Sequence, residues 1–176
     1  YAQLDLGESY KTSEPVSKVI STPFLNSAKL AFLALLITVP LGILGGIIAA
    51  LKRGSLIDRC IVTLSLAGSS LPEFVTASFL VVIFGLQLDW FPVIASTGEA
   101  LSPAEQLYRL VLPILALVLV YFGYIARMAR AGVITAMEAE YTRTAFLKGL
   151  PRGVVIRRHV LRNALLPTIS VVATQT

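Results

Sequence analysis

Residues 30–51 read LAFLALLITVPLGILGGIIAAL, twenty-two positions without one charged side chain. At about 1.5 Å of rise per residue, a helix of this length crosses a hydrocarbon core of about 30 Å. Pro40, Gly42, Gly45 and Gly46 interrupt the run. They would weaken a helix in water. In a bilayer the backbone has no solvent to bond instead, and small residues let a neighbouring helix approach closely. The stretch sets the class as an all-α membrane protein.

The rest of the chain agrees. Of 176 residues, 56% are apolar and only 14% are charged, and the mean hydropathy is +0.79. A soluble domain carries about a quarter of its residues as charges, so too few ionic groups remain here to build a wetted surface. Residues 1–27 are polar, with Pro15 and Pro23, and read as a loop with short helical pieces leading into the membrane. After a short basic turn, residues 60–88 form a second apolar run holding one acid, Glu73. Its length implies a tilted helix, or one broken near Gly68-Ser69-Ser70-Leu71-Pro72. A proline-rich loop over 87–109 follows, with Trp90 and Phe91 suited to the membrane–water boundary. The expected spans are 30–51, 57–88 and 108–130, with a further one starting near 164. Cys60, the single cysteine, excludes an intrachain disulfide and reads as an inert, half-buried helix residue.

Charge gives the orientation. The loops 52–59 and 127–162 carry three and eight Lys/Arg, while 1–29 and 87–109 together carry four. The positive-inside rule places the long basic loop in the cytoplasm and Tyr1 outside. An outside start without a signal peptide implies an earlier span that is missing here.

The basic loop, EAEYTRTAFLKGLPRGVVIRRHVLRNALLPTI, can form one short helix to Lys148, broken at Gly149-Leu150-Pro151, and a second from about Pro151 to Asn163. Proline is acceptable in a first helical turn. Two physical readings stay open at this point. The segment is either a knob presented to a cytoplasmic partner or an interfacial amphipathic helix whose arginines hold anionic lipid.

The run Tyr141-Thr142-Arg143-Thr144-Ala145, then Lys148-Gly149, then His159-Val160-Leu161-Arg162-Asn163-Ala164-Leu165-Leu166-Pro167 resembles the EAA loop of ABC-importer permeases, and more narrowly its dipeptide/oligopeptide branch. Asp5-Leu6-Gly7, Asp58, Ser70-Leu71-Pro72, Leu112-Pro113 and Arg127-x-x-Arg130 are similar to that family's pieces and fall in its order. The resemblance implies a type I importer (MetI-like) transmembrane core, here a fragment with three complete spans, a coupling loop (138–163) and the start of a fourth span. It also implies that Arg143, Thr144, Ala145, Lys148, Gly149, His159, Leu161 and Arg162 dock an ABC ATPase subunit, with Ala145 small enough to enter a cleft of that partner. Further implied partners are a second homologous permease subunit, forming a heterodimer, an extracytoplasmic solute-binding protein and membrane lipid, but no nucleic acid. The implied location is the bacterial or archaeal inner membrane.

No catalytic constellation accompanies this pattern. One histidine and one cysteine cannot make a metal cluster, and no G-x-x-x-x-G-K-[ST] phosphate loop occurs. ATP and Mg would be bound by the partner, so the chain is expected to be non-catalytic and to hold no cofactor of its own. Glu73 is a candidate for the solute path, because an acid inside an apolar run has a functional or a local capping explanation. Arg127 and Arg130 read as ordinary cytoplasmic anchors. The solute is open among peptides, glutathione, nickel complexes and sugars. An ion-driven secondary transporter and a lipid-binding membrane scaffold are the competing function classes.

Overall fold

A computed structural model describes residues 7–11, 13–95 and 102–165. Among them the chain is helical, apart from loops and an isolated bridge between Glu8 and Pro15. The helices are α1 (Val16–Leu51), α2 (Leu56–Ser70), α3 (Glu73–Leu80, continuing as a π-helical stretch Val81–Gln87), α4 (Pro103–Glu138), α5 (Glu140–Leu147) and α6 (Arg152–Val155). A second π-helical stretch, Ile156–Val160, prolongs α6, and helix continues over 161–165.

Helix α1 begins fourteen residues before the apolar run, so the second part of the segment expected to be a loop, residues 16–27, is helix. Pro15 occupies the N-cap, where a missing N–H costs nothing, and Pro23 and Pro40 lie inside the helix. The spacing of Val16, Val19, Ile20, Phe24 and Leu25 is helical, and the single break at Pro23 does not outweigh it. At 36 residues, α1 is about 54 Å long, well beyond the thickness of a hydrocarbon core.

Order of contact fixes how the helices cross. Lys29 and Phe32 of α1 share a depression with Pro103 and Gln106 at the start of α4. Gly42 meets Ile125, Gly46 meets Ala126 and Ala129, and Ala50 clusters with Val133. Numbers rise together, so α1 and α4 are parallel and their C-terminal ends share one side. The chain between them has to return, and α2 with α3 does so. Asp58 meets Arg130, Ser65 meets Gly123, Gly68 meets Leu119 and Gly85 meets Leu112, in steadily reversed order. The two arms bend by 99°. Together their contacts run along α4 from Arg130 to Leu112, the placement expected of one broken span.

The break lies where the sequence places it. The Ser69 and Ser70 hydroxyls donate to the Ser65 and Leu66 carbonyls at 2.8 and 2.6 Å, occupying acceptors at the helix end. Leu71 is extended (ψ 140°), as a residue before proline must be, and Pro72 caps α3. Cys60 is exposed on the outer side of α2, not half-buried.

Helix α4 is the axis against which the others pack. Ser102 caps it, accepting from the Glu105 N–H at 3.3 Å, with Pro103 in the first turn, the pattern of a helix start. Its buried face includes Ala116, Gly123, Ala126, Ala129, Val133 and Ala136, small enough for backbones to approach. The α1 partner position is Gly46, where a β-carbon would lie 2.6 Å from the Ala129 methyl and nearer still to the Ala126 carbonyl oxygen. Only glycine fits there. At the opposite end, Phe84 packs tilted against Trp90 and Phe91 against Tyr108, ring centres 5.7 and 5.6 Å apart, and the Tyr108 hydroxyl donates to the Trp90 carbonyl.

Candidate coupling knob and the polar links behind it

The chain leaves α4 at Glu138, turns at Ala139 (ψ 147°) and enters α5. Thr142 secures this corner. Its side chain is fully buried and its hydroxyl donates to the Ala136 carbonyl at 2.7 Å, an acceptor in the last turn of α4 where intrahelical donors run out.

Helix α5 ends in a Schellman motif. Gly149 has φ +73°, its N–H donates to the Phe146 carbonyl at 2.9 Å, and the Leu150 N–H reaches back to the Ala145 carbonyl at 3.4 Å. This is the left-handed cap that glycine adopts without strain. A β-carbon at Gly149 would meet nothing within 4 Å, so conformation rather than crowding demands glycine. The turn then sends α6 back beneath the membrane helices.

The underside of this L is apolar. Ala145, Val155, Val160 and Ala164 cluster with Ala50 of α1 and with Val133 and Ala136 of α4, and Leu161 packs at the edge. Ala145 is 4% exposed, so its smallness serves internal packing. The expectation that it enters a partner's cleft is corrected by that burial. Leu161 likewise faces inward.

The outer side differs. Arg143, Thr144, Lys148 and Gly149 are exposed at the tip, joined by Leu147 (81% exposed), Phe146 and Leu150. These apolar side chains are weakly marked in the sequence: on a helix Leu147 stands opposite Thr142 and Ala145, whereas Phe146 lies one turn from Thr142. Arg162 is exposed on the second arm, and His159, partly covered, lies there with its carbonyl accepting from the Asn163 side chain at 3.1 Å. The eight expected docking residues therefore divide into an exposed tip, an inward-facing pair (Ala145 buried, Leu161 partly so) and a second-arm group.

Polar links tie the knob's root to the bundle. Arg130 forks onto Asp58, and the Gly54 N–H also donates to that carboxylate at 2.9 Å. Arg53 bonds Glu138 at 2.7 Å across the exposed surface, a pair worth little by itself. Arg127 donates to the Ser69 hydroxyl at 2.8 Å and lies 5.1 Å over the Tyr124 ring. Arg127 and Arg130 are thus interhelical ties rather than simple anchors. Glu73 is exposed in the first turn of α3, near the phenol of Tyr121 at mid-length of α4. Among the described residues, no group of three or more His, Cys, Asp or Glu could hold a metal ion.

The sequence pattern that defines the binding-protein-dependent transport system inner membrane component matches residues 42–176. The chain belongs to that family. It is 39% identical over 167 residues, 95% of its length, to a provisionally named peptide transport system permease protein of Brucella abortus (strain 2308). It is 38% identical over 167 residues, 94% of its length, to the oligopeptide transport system permease protein OppB of Escherichia coli (strain K12), and equally to that of Shigella flexneri. In each case it covers 53% of the relative, so the chain spans about half the length of the curated relatives it matches. The fold is that of an all-α polytopic membrane protein with a type I importer core.

Proposed function

We propose that the chain is the membrane-embedded portion of an ATP-driven, binding-protein-dependent importer of dipeptides, oligopeptides or related small solutes, in a bacterial or archaeal inner membrane. The observation that carries this reading is the exposed tip of α5 on a root packed under α1 and α4. Phe146, Leu147 and Leu150 form an apolar centre, ringed by Arg143 and Lys148. An apolar centre with a polar rim is the composition of a protein interface, and a partner that grips it would pull on α4 through Thr142 and the buried cluster. A partner ATPase would hold ATP and Mg, and its closure would swing α4 together with the broken span. This chain would be non-catalytic. A second permease subunit and a solute-binding protein would complete the assembly, and Glu73 at the bend would face the solute path.

The test is co-purification of the full-length protein with its cognate P-loop ATPase. Leu147→Asp changes a side chain that is 81% exposed, and the 143–149 deletion removes the tip. Both should abolish the complex and the uptake it drives. Retention of the ATPase and normal uptake by both would overturn the docking reading.

A further inference from the structure

Residues 141–176 contain six Lys/Arg and no Asp or Glu. Among the described residues, none of Arg143, Lys148, Arg152, Arg157, Arg158 and Arg162 forms an ion pair; the pairs present involve Lys18, Arg53, Arg109 and Arg130. Two of these cations lie at the α5 tip. Three others, Arg157, Arg158 and Arg162, converge on the second arm. The π-helical stretch Ile156–Val160, with bonds between residues five apart, turns Arg157 and Arg162 toward a common side. Arg157, Arg158, Arg162 and His159 line one open depression of about 740 Å³. Arg157 and Arg158 also line a second, of about 730 Å³, bounded by Gly153 and Val154.

The level of this cluster is fixed by its neighbours. A β-carbon on Gly132 of α4 would collide with the Ala164 carbonyl, so Ala164 stands beside Gly132, between Arg130 and the end of α4 at Glu138. Arg162 is two residues from Ala164 and Arg157 seven, or about 3 and 10 Å along a helix. The headgroup layer of one leaflet is about 5–7 Å deep. Measured from Ala164, Arg162 falls within a layer of that depth and Arg157 and Arg158 at its water-facing edge, on the arm that re-enters the bundle, while the α5 tip is separated from them by the Gly149 turn.

We infer that Arg157, Arg158 and Arg162, with His159 beside them, form a binding site for the phosphate of an anionic phospholipid in the cytoplasmic leaflet. Arginine matches phosphate geometry through paired N–H donors. The cluster lies on the second arm, apart from the α5 tip, although His159 and Arg162 belong to the run that resembles the EAA loop, so the test below separates a lipid from the ATPase as its occupant.

The test uses the purified full-length permease in detergent, without the ATPase, titrated with phosphatidylglycerol or phosphatidylcholine and read by native mass spectrometry. Each basic side chain near an anionic surface contributes roughly fivefold in affinity. Arg157→Gln, Arg158→Gln and Arg162→Gln combined should weaken phosphatidylglycerol binding on the order of a hundredfold and leave phosphatidylcholine binding unchanged. The corresponding triple lysine variant, which keeps the charge, should retain most of it. Equal loss in both triple variants would mark a structural effect and overturn the inference, as would unchanged lipid binding by the glutamine variant. Displacement by inorganic phosphate at equal concentration would make this a free-anion site and overturn it too. Loss of the ATPase with lipid binding intact, in a parallel co-purification, would assign the cluster to a protein partner instead.

Discussion

Arg130 lays its guanidinium along the Asp58 carboxylate, Nε to Oδ1 at 2.7 Å and a terminal nitrogen to Oδ2 at 2.9 Å, joining residues 72 positions apart. Asp58 is 4% exposed and stands in the first turn of α2, where its own N–H bonds the Ser55 cap at 3.3 Å. The carboxylate thus closes the α1–α2 turn, begins a helix and clamps it to α4. No other side chain in the described bundle links three elements in this way by charge.

Removing one member of such a pair leaves the other buried without compensation, which typically costs about 3–5 kcal/mol. Arg130 is 27% exposed at its side chain, so the lower end applies. Arg130→Gln should destabilise the protein by about 3 kcal/mol, seen as earlier thermal unfolding in detergent. Arg130→Lys should recover only part, because an ammonium cannot fork. The double variant with Asp58→Asn should lose less than the sum of the singles. Strict additivity would show that the pair is not coupled.

The α1–α4 contact gives a second expectation. A leucine at Gly46 has to displace the Ala126 backbone, not the end of a flexible side chain. Overpacking costs about 1–3 kcal/mol even where side chains can yield, so Gly46→Leu should exceed that range and lower the yield of folded protein. Gly54→Leu is the comparison. There no atom lies within 4 Å of an added β-carbon, although φ is +81°, so only the conformational strain of about 1–3 kcal/mol remains. A milder effect at Gly46 than at Gly54 would contradict the parallel packing.

These long-range contacts mark where the sequence stops being readable. The apolar run at 30–51, the break at Ser70-Leu71-Pro72 and the cap at Gly149 are local, because the residue types that make them lie within a turn of one another. The Arg130–Asp58 fork is not local, and lysines or arginines beside a span look alike whether they face water or a buried acid. Pro23 misled for the opposite reason, since an isolated proline reads as a helix end while the periodicity on both sides continues the helix. Ala145 misled because small residues suit a partner's cleft and a tight internal cluster equally, and only the position of Val133 and Val155 distinguishes them.

Thr142 offers a third measurement. Thr142→Val keeps the shape but leaves the Ala136 carbonyl without its side-chain donor, a loss of about 1–3 kcal/mol for a buried group. Thr142→Ser keeps the hydroxyl and should lose less. Because the corner carries the knob, the valine variant should also raise amide exchange across 140–147 while sparing the middle of α4. Equal exchange in wild type and Thr142→Val would show that the hydroxyl does not hold the corner.

Gly149 separates conformation from contact. Its left-handed φ and the free space around it mean that a side chain is resisted by the backbone alone, and asparagine tolerates that region better than a β-branched residue. Gly149→Asn should therefore keep the turn, and with it ATPase co-purification, at a cost of about 1 kcal/mol. Gly149→Val should unwind the Schellman cap and weaken the complex at least tenfold, a difference of about 1.4 kcal/mol in binding. If asparagine and valine fail alike, the glycine is needed for close approach of the partner's backbone rather than for the turn. If neither affects the complex, the tip of α5 is not the docking surface.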